Sequence, residues 1–298
     1  MTEQVEDEKN VVLKQTELEG LEKHILENGL SANTKATYIC QYKKLRHTIN
    51  IDIKDGWKDL ADTSQEAIIK AVDATNKNNK IATKQQLLNI GIIVRKIANL
   101  PTTMLEADRN RGKEALAQYV HDTNAELELP TLRTLNEYTD QLFVDGRFKE
   151  FLINWFLLEF NVRNLDLVFD IVKLKRLAQD ADKNFVWLTR DKAIYYRRVY
   201  KTAKNHGFKN HVIKDDRVRL SLKMVSRDWN FTEDDIGYWT RKATYNGLGE
   251  GKYCKVCVNA NRNNLAKLRE MSINRGSSVE MLCTSYNVAY NKETNELE

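Results

Sequence analysis

The 298-residue chain contains only 2 prolines and 12 glycines. All-β barrels and sandwiches punctuate many short strands with both residues, so that class is excluded. Four cysteines (Cys40, Cys254, Cys257 and Cys283) are too few and too scattered to staple a chain of this length, which points to a reducing, intracellular setting. Nowhere does the chain approach the roughly 20 uninterrupted apolar residues of a membrane span, and no membrane partner is expected. Its most apolar run, 151–160, is interrupted by Asn154 and Glu159. The opening segment, MTEQVEDEKN, is acidic and lacks the apolar core of a secretory leader. P-loop and HExxH patterns are missing as well.

What the chain does have is charge, unevenly placed. Charged residues make up 30% and hydrophobic ones 42%, the balance of a soluble globular chain. The net charge of +5 conceals an acidic beginning, where residues 1–30 carry eight acidic and three basic side chains. Between Phe185 and Arg275 there are twenty Lys and Arg against nine Asp and Glu, a surplus of eleven positive charges. Such a surplus on a folded segment attracts polyanions, of which nucleic acid is the commonest. A basic face kept for solubility is the alternative.

Apolar spacing predicts an amphipathic helix over 11–30, with Val12, Leu18, Leu21, Ile25 and Leu26 recurring at helical intervals and Asn28-Gly29 ending it. Ser31 or Asn33 is a candidate cap for a second helix over 34–48. Helices are also expected over 64–74, 83–99 and 104–122, so that 31–127 is a helical unit. Glu126 to Pro130 reads as a joint. The second domain, 128–298, opens with helices over 132–144 and 148–160. Short β-favouring runs follow at 165–172, 185–188, 194–200 and 211–213, read as a small sheet with hairpin connections. Further helices are expected over 217–225, 232–243, 261–274 and 278–284. Gly247, Gly249 and Gly251 read as a loop. The fold class is therefore mainly α, with an acidic N-terminal helix or tail over 1–30, a helical domain, and an α+β domain with a small β-sheet.

Three segments of the second domain carry a pattern. Phe-Asn-Val-Arg-Asn-Leu-Asp-Leu (160–167) sets an arginine after a buried helix, with an acid three residues on. Val-Tyr-Lys-Thr-Ala-Lys-Asn-His-Gly (199–207) places a lysine at a strand tip. Leu-Ala-Lys-Leu-Arg-Glu (265–270) begins a helix with a second arginine, followed by Arg-Gly-Ser-Ser (275–278) and two Tyr-Asn pairs (286–287 and 290–291). In that order, the segments resemble the catalytic domain of tyrosine recombinases (phage-type integrases), closest in flavour to divergent versions in large DNA viruses. The unit beginning Ser-Ala-Asn-Thr-Lys-Ala-Thr-Tyr (31–38) resembles that family's core-binding domain.

The resemblance implies site-specific DNA strand cleavage and rejoining. A tyrosine oxygen attacks a backbone phosphate, leaving a 3′-phosphotyrosyl link and a free 5′-hydroxyl. Two planar guanidinium forks suit the charge gathering on the non-bridging oxygens, and the resemblance assigns them to Arg163 and Arg269. Lys201 would protonate the departing 5′-oxygen. Because the energy of the broken bond is kept in the phosphotyrosine, the resemblance implies neither a metal nor a small-molecule cofactor. Tyr290 is the favoured nucleophile and Tyr286 its rival. The implied partner is double-stranded DNA, with self-association into tetramers on the target. In the first domain Thr34, Lys35, Tyr42, Lys43 and Arg46 suit groove or phosphate contact, and Lys204 does so in the second. His206 and His211 sit among basic residues and suit contact with solvent or phosphate. The implied location is the host nucleus or cytoplasm, or a virion.

Other readings stay open. Asp166 is an alternative partner for Arg163, and Arg269 is an alternative surface charge. Cys254 and Cys257 make a lone C-x-x-C with no second pair, too little for a zinc site. Ala266 stands where the family has a histidine, no His occurs after His211 and no Trp after Trp239. A catalytically degenerate DNA-binding structural or virion protein, or a type IB topoisomerase, are the competing functions.

Overall fold

The computed structural model describes residues 20–25, 27–28, 32–49, 57–74, 81–125, 128–175 and 182–286. The chain is mainly helical, with one four-stranded mixed sheet, and divides into two compact units, 1–120 and 121–298. That division falls inside the last turns of a helix, a few residues before the joint expected at Glu126 to Pro130. Among the described residues no helix is long and apolar enough to cross a membrane.

The first unit consists of a helical turn over 20–25 followed by α1 (Ala32–Ile49), α2 (Trp57–Asp62), α3 (Gln65–Ala74), α4 (Ile81–Ile97) and α5 (Thr103–Ala125). Leu21 and Ile25 are buried in one apolar cluster with Tyr42 and Leu45 of α1, Ile68 of α3 and Leu88 of α4. Val12, Leu18 and Leu26 of the expected first helix, and Ser31 as its successor's cap, lie outside the described residues. Ser64 starts α3 by accepting the Ala67 amide at 3.2 Å on its hydroxyl. Six-residue α2 is too short to show a period and was not legible in the sequence.

In the second unit α6 (Leu132–Val144) and α7 (Phe148–Phe160) have the limits that their apolar spacing predicts. The Thr131 hydroxyl caps α6 by accepting the Thr134 amide at 3.1 Å. Asn154, the polar break in the apolar run, is fully buried and ties α7 to later elements. Its amide donates to the Ala243 carbonyl at 2.9 Å, and its Oδ1 accepts the Tyr253 hydroxyl. At the end of α7 Asn161 adopts left-handed backbone (φ 49), which Asn tolerates better than most residues, and the chain turns toward Arg163.

The strand expected over 165–172 is mostly not one. Asn164–Leu167 is a 3-10 turn, and only Asp170–Val172 forms a strand, β1. The cause is local: the Asp166 carboxylate accepts the Arg163 amide at 2.7 Å and closes the chain into a turn. β2 (Phe185–Leu188), β3 (Ala193–Arg197) and β4 (Lys209–Ile213) complete a sheet in the order β1-β2-β3-β4. β1 runs parallel to β2, and the other pairings are antiparallel, with Phe185 opposite Tyr196 and Tyr195 opposite His211. One sheet face lies on α7 through Phe156, Phe160, Phe169 and Tyr195, whose rings meet at centroid distances of 5.0–6.0 Å.

After β3 comes the short α8 (Ala203–His206), and after β4 come α9 (Asp216–Val225), α10 (Ile236–Ala243), α11 (Gly249–Ala260), α12 (Leu265–Arg275) and α13 (Val279–Tyr286). α11 corrects the loop reading of the three glycines. Gly247 and Gly249 have φ of 69° and 70°, which builds a tight entry turn, and Gly251 already lies inside the helix.

Candidate functional site

The site grows from the way α12 stops. Gly276 takes left-handed backbone (φ 64), its amide donates to the Ile273 carbonyl at 3.1 Å, and the Ser277 amide reaches the Ser272 carbonyl at 3.0 Å. This is the glycine-terminated helix end of the Schellman type. A side chain here would also clash, since an added Cβ would lie 2.1 Å from the Thr202 hydroxyl oxygen. That hydroxyl donates to the Gly276 carbonyl at 2.9 Å and docks the turn after β3 on the helix end.

The last carbonyls of a helix form its negative pole, and cations gather here. The Lys209 ammonium donates to the Ile273 carbonyl and, at 3.3 Å, to that of Asn274. Arg197 donates to the Asn274 carbonyl at 2.5 Å, and Arg163 to that of Arg275, also at 2.5 Å. Arg275 points back to the end of α7 and donates to the Asn161 and Val162 carbonyls at 3.1 and 3.4 Å. Its other Nη donates to Glu250 at 2.6 Å and to the Tyr286 hydroxyl at 2.9 Å, and the guanidinium lies 4.9 Å from the centre of the Tyr286 ring.

Two carboxylates balance part of this charge. Asp166, fully buried, accepts Arg197 at 2.7 Å. Glu250 accepts Arg275 and, through its second oxygen, the Asn164 amide at 2.7 Å. Four cationic side chains against two acids leave an excess of about two positive charges in a partly dry site. Burial pulls the Arg163 guanidinium below its ordinary value, and repulsion from Arg275 adds to that. Burial and the charge of Arg197 lower the Lys209 ammonium to about 8. Such crowding is the state that a bound anion relieves. Arg163 is half-buried, whereas Arg275 is 1% exposed, so Arg163 is the guanidinium open to an incoming anion.

The structure brings together only part of the set expected from the sequence. Arg163 and Tyr286 are in the site; Tyr290 lies outside the described residues. Arg269 is exposed on α12. It stands six residues before Arg275, which turns it about 120° away around the helix. Arg275, from the segment Arg-Gly-Ser-Ser, occupies the place beside Arg163. Lys201 is exposed, one residue before the Thr202 anchor, at the rim rather than in the cluster. Lys209, Arg197 and Glu250 went unrecognised in the sequence. An arginine immediately before a helix-ending glycine was the available signal for Arg275.

Other residues are reassigned. Tyr42 is fully buried in the first unit's core, so its ring is not a groove contact. Lys35 pairs with Glu22 at 3.1 Å, Thr34 and Arg46 are half-buried, and Lys43 and Lys204 are exposed. His211 is half-buried rather than set out in solvent. It lies against Phe160 at 4.5 Å between centroids, and burial, with Arg197 and Lys209 nearby, lowers its ring to about 4. His206 is exposed. Cys254 and Cys257 pack with Cys283 in an apolar cluster, and burial pushes the first two thiols up to about 11 and about 12. Among the described residues no group of three His, Cys, Asp or Glu is placed to hold a metal ion.

Fold and site together define a mainly helical chain with a small mixed sheet and a cationic, tyrosine-bearing site at a helix end. Comparison of the chain with protein-family models, curated proteins and solved structures finds no match in any of the three.

Proposed function

We propose that the second unit binds a DNA backbone phosphate at Arg163 and cleaves the strand through Tyr286, as a tyrosine recombinase does. The observation that carries this reading is the meeting of Arg163, Arg275 and the Tyr286 hydroxyl at the end of α12. Arg275 is buried and one of its Nη atoms is bonded to Glu250 and to the Tyr286 hydroxyl, so a phosphate oxygen that takes the place of the phenol on this guanidinium is held beside Tyr286. An arriving phosphate thus displaces that hydroxyl from Arg275 and leaves it beside the phosphorus. The phenol releases its proton to solvent water, its oxygen forms the new P–O bond, the bond to the 5′-oxygen breaks, and Arg163 and Arg275 neutralise the charge on the non-bridging oxygens. Lys209, with its ammonium near 8, or Lys201 at the rim supplies the proton to the departing oxygen. Self-association on the target belongs to the same proposal.

A second reading keeps the DNA binding and discards the cleavage. It is favoured by the residue three places before Arg275, Ser272, whose hydroxyl donates to the Arg269 carbonyl of its own helix where the recombinase pattern has a histidine. Loss of general-base help lowers rates by about 10²–10⁴-fold, which separates slow from inert. A nicked suicide duplex that traps the covalent intermediate decides between them. The cleavage reading expects a protein–DNA adduct that Tyr286→Phe abolishes and Arg163→Gln lowers by about 10²-fold or more. DNA binding with no adduct at any time point sustains the second reading.

A further inference from the structure

A cavity of about 550 Å³ opens beside this site, lined by Asn164, Arg241, Glu250, Lys252 and Lys255 along with the glycine turn at the start of α11. Three cations face one acid there, and that acid, Glu250, is already engaged with Arg275 and the Asn164 amide. Gly249 takes left-handed backbone in that turn (φ +70), next to the Arg241 side chain. Asn164 lines the cavity too, and its Oδ1 is buried without a hydrogen-bond partner among the described residues. Rotation of that amide presents two N–H donors instead. Lys252 depresses the Lys255 ammonium, after burial, so the two like charges are close enough to repel. None of these residues was singled out as a site by the sequence, in which the glycines read as a loop.

We propose that this cavity holds a second phosphodiester of the same DNA strand, next to the one taken by Arg163, with Glu250 as the wall shared by the two. It rests on the DNA-binding reading above and extends it from one phosphate to two. A mobile strand held at a single phosphate can pivot, whereas two anchored phosphates fix the direction from which Tyr286 approaches the phosphorus.

The test measures duplex binding by the full-length protein as a function of salt, for the native protein and for the double variant Arg241→Gln/Lys252→Gln. Each lost phosphate contact lowers the slope of log K against log salt by about 0.9. The proposal expects a shallower slope in the double variant. It also expects that neutralising phosphates singly, as methylphosphonates, weakens the native protein at two neighbouring positions. In the double variant one of those positions falls silent while the other still responds. Both substitutions are at solvent-accessible side chains, and an unchanged thermal melt confirms that the variant is folded. An unchanged slope with both positions still responding overturns the second phosphate site and leaves the DNA-binding reading intact. A native protein that does not bind DNA overturns both. Inorganic phosphate that competes at the variant-sensitive position, with no response to the methylphosphonate, assigns the cavity to a free anion and overturns the strand assignment.

Discussion

Both units bury arginine, and Arg95 of the first and Arg275 of the second are held in opposite ways. In the first unit Arg95, 8% exposed, donates to the carbonyls of Ala61 and Pro101 at 2.8 Å and of Thr63 at 2.5 Å. Its guanidinium pins the chain leaving α2 and the chain leaving α4 to one point, and no second cation stands among those partners. In the second unit Arg275 also reaches backbone carbonyls, yet its charge repels that of Arg163, and Tyr286 lies over its outer Nη. A buried arginine alone is therefore architecture. Accumulated like charge with an opening beside it makes a candidate site.

The largest expected effect tests the foundation of the second cluster. Asp166→Asn leaves Arg197 without its carboxylate in the interior, and breaking a buried pair costs about 3–5 kcal/mol. Four of the five tryptophans lie in 121–298, so denaturant unfolding followed by their fluorescence reads this loss directly. Arg95→Met should cost about 2–3 kcal/mol by stranding carbonyls in the first unit. It should leave the salt dependence of DNA binding unchanged, and a flatter slope would erase the contrast between the two arginines. Gly276→Ala should destabilise the second unit by about 1–3 kcal/mol, because left-handed backbone is strained for alanine and the methyl meets Thr202.

The smallest effect is a dependence on pH. Lys209 has a folded value near 8, below the ordinary 10.5. The unfolded chain therefore binds more protons between those values, and stability rises as pH increases from about 8 to about 10.5. Lys209→Met should remove that rise. Parallel stability profiles for the native protein and the variant over this range would show that Lys209 is not crowded by the cluster.

The limits of α6 and α7 were legible because each presents a strong periodic or continuous apolar face bounded by a threonine cap or a left-handed asparagine. β2 was legible for a related reason, as a compact β-branched and aromatic run. α11 was hidden by glycines that serve its entry turn, and the strand at 165–172 was displaced by an aspartate that bonds back to its own turn. Arg163 could be picked out because it follows a buried helix. At Arg275 the signal was only an arginine before a helix-ending glycine, and its role depends on meeting the end of α7 more than a hundred residues earlier in the chain. Lys209 was missed for the same reason: only the fold brings its strand to the α12 terminus.

The central claim is that Arg163 and Arg275 enclose a phosphate beside the Tyr286 phenol. A crystal structure of the protein with a nicked DNA duplex and orthovanadate, which mimics a five-coordinate phosphoryl centre, tests it most directly. The account predicts vanadium within bonding distance of the Tyr286 oxygen, its equatorial oxygens held by both guanidiniums, and the Tyr286–Arg275 hydrogen bond broken. DNA bound across Lys43, Lys201 or Lys204, with Arg275 still closed beneath Tyr286 and no vanadate there, would contradict it.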